Sequence, residues 1–445
     1  MDDKQKLENG RVILTHGRSI MALVAAQSLG QKGVEVIGCD SIDLTILSFS
    51  KYVEDFFIHP DKKKDEDAFL RSMIEQIKNY KPDDDRPYIL MPMFKDNKFF
   101  ARHRDKFEPH IKLACPDFDA LCALHPKDNF ARTVQELDVS APQTWLPENK
   151  EELEELSDEF DFPCIIKPYD QSSGRGIHKI DTKAQLLKYW DENIKKFGQK
   201  SLIQSAVEGD EYCYSAIFEN GDLKAGMAYK NLYCFPPESG SGILRETIPH
   251  EKFARIAADL MKPLEWNGVA EFDFLWDGDD NTTPVLIEVN TRFWGGLFQS
   301  VESGIDFPWL LYCLTTQGHI ETSESSAIGT KTKMPYIWLV SALSDAIKND
   351  EEFEKIEKQG KLALEKIKNG SVLQGMKDYG SYLFAYMGES LNLGKKAKKF
   401  EQSLKIGRAA KNELLDSDDP YVALGILFVF GSLYRQGHLP RELKF

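Results

Sequence analysis

Glu271-Phe272-Asp273-Phe274-Leu275-Trp276 is followed shortly by Leu286-Ile287-Glu288-Val289-Asn290-Thr291-Arg292. Polar and apolar residues alternate in both, so each reads as a half-buried strand. Glu271 and Asp273 share one face of the first strand, and Glu288 and Asn290 share one face of the second. Paired, the two strands would gather three carboxylates and an amide on a single patch. Carboxylates packed together repel one another unless a cation sits among them. Oxygen donors of this kind suit Mg²⁺, and Arg292 follows closely enough to neutralise a transferring phosphoryl group. A solvent-facing acidic sheet would show the same alternation. The apolar partners Phe272, Phe274, Leu286, Ile287 and Val289 speak instead for one buried face. The linking run Asp277, Asp279, Asn281 mimics part of a calcium loop, but the sixth position is Thr282 where that loop needs glycine, and its flanks read as strands.

Working outward, a second group lies upstream. Lys167 stands inside the apolar strand Ile165-Ile166-Lys167-Pro168, where an unpaired ammonium is expensive. The loop Ser172-Ser173-Gly174-Arg175-Gly176 follows, and its small residues would let backbone N–H groups approach an anion. A phosphate or an internal carboxylate would each satisfy Lys167. The strand Leu202–Val207 runs into the acidic bend Glu208–Glu211, which reads equally as an ordinary strand end. Asn220-Gly221 predicts a tight hairpin turn.

The first 124 residues alternate strand and helix patterns, as in a parallel sheet covered by helices. Such sheets bind ligands beyond the carboxyl ends of their strands, which points to Thr15–Ser19 and Asp40. The loop after the first strand has only Gly17 and lacks a dinucleotide fingerprint. No phosphate-binding P-loop occurs anywhere. Beyond residue 320 the composition turns Lys/Glu-rich with helical spacing, as in 351–369 and 397–415.

The whole chain has 445 residues, 42% of them hydrophobic and 29% charged, enough for two or three domains. Its formal net charge of −15 argues against nucleic-acid binding. Seven scattered cysteines form no metal or disulfide pattern. Residues 1–10 lack the apolar run of a signal peptide, the longest apolar stretch (421–433) is about 13 residues and too short to span a bilayer, and a cytoplasmic enzyme is the expectation.

Together and in this order, Lys127, Ile166-Lys167-Pro168, Ser172–Ile177, Gln204–Glu211, Asp273 and Ile287–Arg292 resemble the ATP-grasp superfamily. The stretch Gly30–Asp40 with Ser50-Lys51-Tyr52 looks like its branch of ATP-dependent carboligases, which includes D-aspartate ligase. The resemblance implies an α/β (α+β) fold: a Rossmann-like pre-ATP-grasp domain over 1–124, an ATP-grasp clamp over 125–320 with a lid at about 140–205, and a mainly helical region over 321–445. It implies ATP and one or two Mg²⁺, with Mn²⁺ as a substitute. Lys127 and Lys167 would contact the phosphates under a loop of Ser172, Ser173, Gly174 and Gly176. Gln204 and Val207 would bracket the adenine, and Glu211 would take the ribose. Asp273, Glu288 and Asn290 would hold the metal, with Arg292 and Lys167 catalytic. Residues proposed to meet substrate are His16 and Arg18 at the first strand end, Arg245 in a glycine-rich loop, and Gly295 and Gly296. The implied partners are a small carboxylate and an amine, and the implied assembly is a homodimer. A bicarbonate-using carboxylase, a carbamoyl-phosphate-forming enzyme and a non-catalytic nucleotide-binding module remain as alternatives.

Overall fold

In the computed structural model, the residues described are 9–171, 175–235, 241–322, 326–334, 393–413 and 418–422, with isolated positions between 338 and 382. They form two compact units. One comprises the described residues up to 232, those of 245–332 and those from 412 onward. The other comprises 233–244 and 333–411.

The larger unit begins with a five-stranded sheet. Its strands are β1 (Arg11–Leu14), β2 (Glu35–Asp40), β3 (Val53–Ile58), β4 (Tyr88–Met91) and β5 (Lys112–Leu113), in the order β3-β2-β1-β4-β5. Every pairing is parallel. Alternation along β1 divides its apolar residues between the two faces. Val12 and Leu14 pack with α1 (Ile20–Gln31), while Ile13 packs with Phe69, Met73 and Ile77 of α2 (Glu66–Asn79). Ser19 caps α1 by accepting from the Ala22 amide at 3.2 Å. The strand order reverses at β1, so the loops leaving β1 and β4 stand side by side at the crevice where such sheets take ligands.

A second, antiparallel sheet has the order β6-β9-β7-β8, from β6 (Thr144–Trp145), β7 (Cys164–Pro168), β8 (His178–Ile180) and β9 (Ser201–Ser205). One face carries the helix Lys183–Phe197, capped at its start by Thr182 and ended by Gly198 at φ +65°. Trp190 of that helix is 1% exposed in a core with Cys164, Ile166, Ile180 and Ile203. These strands fall within the stretch expected to form a lid.

The third sheet is ordered β14-β13-β10-β11-β12-β15-β16, with β10 (Asp210–Glu219), β11 (Asp222–Phe235), β12 (Ser241–Ile248), β13 (Gly268–Trp276), β14 (Val285–Asn290), β15 (Lys331–Lys333) and β16 (Lys411–Asn412). Asn220 and Gly221 take φ of +50° and +82° where β10 turns into β11, as a two-residue hairpin requires.

The region over 321–445, expected to be mainly helical, also contributes short strands. A helix is present at Leu393–Ala409, but β15 and β16 are strands of the third sheet. Two- and three-residue strands made of Lys, Thr and Asn have no room to display a period. The helix expected over 351–369 lies largely outside the described residues. In the smaller unit Gly407 packs against Trp338, leaving no space for a side chain. In the larger unit Asp419 is buried and accepts from Gln27 at 3.2 Å and from the Lys51 amide at 2.9 Å.

Trp190→Ala removes the largest side chain of the small sheet's core and should cost about 3–5 kcal/mol. Chemical denaturation would measure the loss, and hydrogen exchange would locate it in residues 144–205.

Candidate active site

The site rests on the pairing of β13 with β14. Glu271 lies opposite Asn290 and Asp273 opposite Glu288, so all four side chains share one face. The other face carries Phe272, Phe274 and Leu286, each fully buried. Burial of that face holds the register, since a one-residue slip would turn the carboxylates into the core. On the other side of β13, Cys213 and Ser215 of β10 stand opposite Asp273 and Glu271.

Polar contacts knit this face together. Asn290 Nδ2 donates to Asp273 Oδ2 at 3.0 Å, and Arg292 Nη2 donates to Asn290 Oδ1 at 3.1 Å. The Tyr229 hydroxyl donates to Glu271. Lys127, at the start of the helix Lys127–Glu136, reaches Glu288 Oε1 and the Gln171 carbonyl, both at 2.9 Å.

Charge sets the ionisation of each group. Burial pushes the Asp273 carboxyl well above the usual range, and the neighbouring Glu271 and Glu288 push it further. Burial raises Glu271 to about 7 against the pull of the Tyr229 hydroxyl and Arg292. Glu288 differs: Lys127, Lys167 and Arg292 outweigh burial and hold it below its ordinary value. Lys167 comes from β7 of the second sheet, where burial lowers it to about 8 against the attraction of Glu288. Carboxylates so crowded are relieved by a divalent cation. The oxygens of Asp273, Glu288 and Asn290 are the hard donors that Mg²⁺ takes.

The remaining expected residues are distributed as follows. Gln204 is buried on β9, its amide donating to Thr144 Oγ1 at 3.0 Å. Val207 is half-buried in the bend after it. Glu211 opens β10, where desolvation raises its carboxyl against the pull of Lys167. Gly176 has φ +76°, and an added Cβ would meet Phe197, Pro168 and Asn193 within 2.8 Å. Packing therefore accounts for this glycine. Ser172, Ser173 and Gly174 lie outside the described residues.

Among the substrate candidates, His16 takes φ +58°, a conformation that costs a non-glycine residue about 1–3 kcal/mol. Its ring stacks on Phe94 with centroids 4.6 Å apart. Arg18 Nε donates to both Asp40 oxygens at 3.1 and 3.0 Å, and Nη2 donates to Ser41 Oγ at 2.7 Å. Asp40 is buried, so its carboxylate serves Arg18. Gly295 is exposed. A Cβ on Gly296 would come within 2.6 Å of the Tyr229 hydroxyl, so the glycine leaves room for the Tyr229–Glu271 contact.

Arg245 requires correction. The sequence places it in a glycine-rich loop, suited to a substrate carboxylate. It lies within β12, 3% exposed, and its guanidinium is ion-paired with the buried Glu413. The partner lies far along the chain, so spacing offered no hint of it.

Four residues absent from the sequence reading join the site. Tyr229 and Cys213 face it from neighbouring strands. Phe94 and Lys95 come from the loop after β4, where burial and Arg292 lower the Lys95 ammonium. That loop is a strand's carboxyl end in a parallel sheet, a signal applied to β1 and β2 but not to β4.

Residues 126–296 match the ATP-grasp domain model. Among curated proteins, the chain is 23% identical over 189 residues to the carbamoyl phosphate synthase large chain of Clostridium acetobutylicum, covering 41% of this chain and 18% of that one. It is 28% identical over 156 residues to the D-alanine–D-alanine ligase of the same organism, covering 32% and 45% respectively. The matches thus span less than half the length of these relatives. Among solved structures, the Campylobacter jejuni biotin carboxylase superposes with a TM-score of 0.60 at 17% identity, covering 73% of this chain and 75% of that one. The Bacillus licheniformis L-amino acid ligase does so at 0.54 and 16%, covering 71% and 76%. The chain thus carries an ATP-grasp domain over residues 126–296, within a mixed α/β fold. Among its described residues no helix is long and apolar enough to cross a membrane.

Glu413→Ala leaves the Arg245 guanidinium buried without its carboxylate and should cost about 3–5 kcal/mol. Replacing both residues, as Arg245→Met with Glu413→Leu, should recover most of that stability in urea titrations. A Glu413→Ala protein as stable as the parent would contradict the pairing.

Proposed function

We propose that this protein is an ATP-dependent carboxylate–amine ligase that activates its acid as an acyl phosphate. The observation that carries the reading is the convergence of Lys127, Lys167 and Arg292 on the face bearing Asp273, Glu288 and Asn290, within the ATP-grasp domain. The similarity to a D-alanine–D-alanine ligase supports an amine as acceptor.

In this reading, Lys127 and Lys167 bind the phosphates of ATP. Gln204, Val207 and Glu211 receive the nucleoside, and the sheet over 144–205 serves as lid. Asp273, Glu288 and Asn290 would hold Mg²⁺ or Mn²⁺, which would supply positive charge against the phosphate groups. A substrate carboxylate oxygen attacks the γ-phosphorus, the bond to the β-phosphate oxygen breaks, and ADP leaves. Arg292 offsets the negative charge on the transferring group. Closure around the acyl phosphate excludes the water that would hydrolyse it. The amine nitrogen then attacks the acyl carbon, phosphate departs, and the nitrogen loses a proton as the amide forms. The first-domain crevice at His16 supplies a place for the second substrate.

The test is ADP release with Mg·ATP across a panel of amino acids, other carboxylates and small amines, with Glu288→Ala as the blank. Release that requires one carboxylate and one amine together is the expected result. Release with bicarbonate and no amine would replace this reading with a carboxylase. Arg292→Ala should lower kcat by about 10²–10³-fold.

Lys167 also sets a pH dependence. It binds phosphate only as the ammonium, and its pKa before binding is about 8. Below that value it is already protonated. Above it, binding must first take up a proton, so ATP affinity should fall by up to about tenfold per pH unit. Calorimetric titrations between pH 7 and pH 9.5 would measure this fall, and Lys167→Gln should flatten it.

A further inference from the structure

Arg292 is held by more than its own loop. Its Nη1 donates to the Phe293 carbonyl at 2.7 Å and its Nη2 to Asn290 at 3.1 Å. These bonds leave the plane of the guanidinium free to stack, and its Cζ lies over the Phe94 ring, 4.8 Å from the centroid. The same ring stacks with His16, with centroids 4.6 Å apart and planes within 10° of parallel. Phe94 belongs to the loop after β4 and His16 to the loop after β1, the two that meet where the first sheet's strand order reverses. A second tie runs alongside. Asn97, 6% exposed, donates from Nδ2 to the Thr291 carbonyl at 2.7 Å, gripping the residue just before Arg292. The first sheet's loops therefore reach across to the loop that leaves β14 and touch it at two consecutive residues.

We propose that Phe94 is a positioning residue for Arg292: its ring fixes the plane of the guanidinium that meets the transferring phosphoryl group, and His16 braces the ring. This rests on the role given to Arg292 in the ligase reading. An arginine side chain has many rotamers, and a preorganised charge stabilises a transition state only when it is already in place. An aromatic face attracts the cation through its quadrupole and restricts it without competing for its N–H donors. The left-handed backbone at His16 (φ +58°) is the local distortion that accompanies this stack. Burial pushes the imidazole below its ordinary pKa, which keeps the ring neutral beside Arg292 and Arg18.

The test compares Phe94→Leu, which keeps apolar bulk and removes the π face, with Phe94→Tyr, which keeps the face. Phe94→Leu should lower kcat by about 10–100-fold, the loss expected when a charge stabiliser is misplaced, with KM for ATP changed less than about twofold. Phe94→Tyr should remain within about threefold of the parent. In an Arg292→Ala background the Leu substitution should have almost no further effect, because the two residues act as one unit. Near-normal kcat in Phe94→Leu, or an equal loss in both backgrounds, would overturn the proposal.

A readout that needs no turnover separates this inference from the ligase reading. In nitrogen-15 NMR spectra the Arg292 Nε–H signal, assigned by its loss in Arg292→Lys, should show a ring-current shift. Phe94→Leu should abolish the shift and Phe94→Tyr should keep it. If no carboxylate–amine pair releases ADP, the ligase reading falls while the NMR comparison still decides the stack. An Arg292 signal indifferent to Phe94→Leu would overturn the positioning role whatever the activity.

Discussion

Three carboxylates set side by side, on a sheet whose other face is sealed in the core, are the constraint to which the rest of the site responds. The pairing of β13 with β14 makes the crowding unavoidable, because Glu271, Asp273 and Glu288 point the same way and their apolar neighbours cannot leave the interior. Ion pairing in a partly desolvated place works only when countercharges arrive with good geometry. They come from three parts of the fold: a helix start at Lys127, a strand of another sheet at Lys167, and the loop leaving β14 at Arg292. Glu288 stays ionised in their company, whereas Asp273 and Glu271 are pushed towards the neutral form. One face thus carries both an ionised carboxylate and carboxyls that a cation would ionise, and in the proposed ligase that is where a metal and phosphate would meet.

The first sheet contributes more than a scaffold. Its strand order brings the ends of β1 and β4 together, and through them His16 and Phe94. Asp40, the polar residue most prominent at the end of β2, is instead buried under Arg18 and shapes the loop from within. The polar residues at the crevice therefore divide into those that hold the loops and those that face the opening. Residue type alone does not reveal this division, since an arginine beside a strand end looks the same in either role.

The distal chain is woven into the larger unit by buried polar contacts. Glu413 meets Arg245, and Asp419 meets Gln27, Ser50 and the Lys51 amide. Each contact is costly to break from one side, because the abandoned partner is already cut off from water. Tyr229 does similar work nearer the centre: its hydroxyl bonds Glu271 while its ring edge leaves space only for glycine at position 296.

The pattern that makes these strands, and much of what they carry, is already written in the order of residues. Alternation over 271–276 and 286–290 put the four polar groups on common faces, Asn220-Gly221 marked the hairpin, and the strand–helix rhythm of the first 124 residues announced a parallel sheet. Such features are local, because strand period and turn conformation depend on neighbours a few residues away. Tertiary structure alone decided which strand pairs with which, that Arg245 belongs to Glu413, that Phe94 lies beneath Arg292, and that short segments near 331 and 411 are strands. Each of these joins groups tens to hundreds of residues apart. A contact at that range is selected by the packing of whole sheets and by the need to satisfy buried charge, and neither constraint leaves a period in the chain.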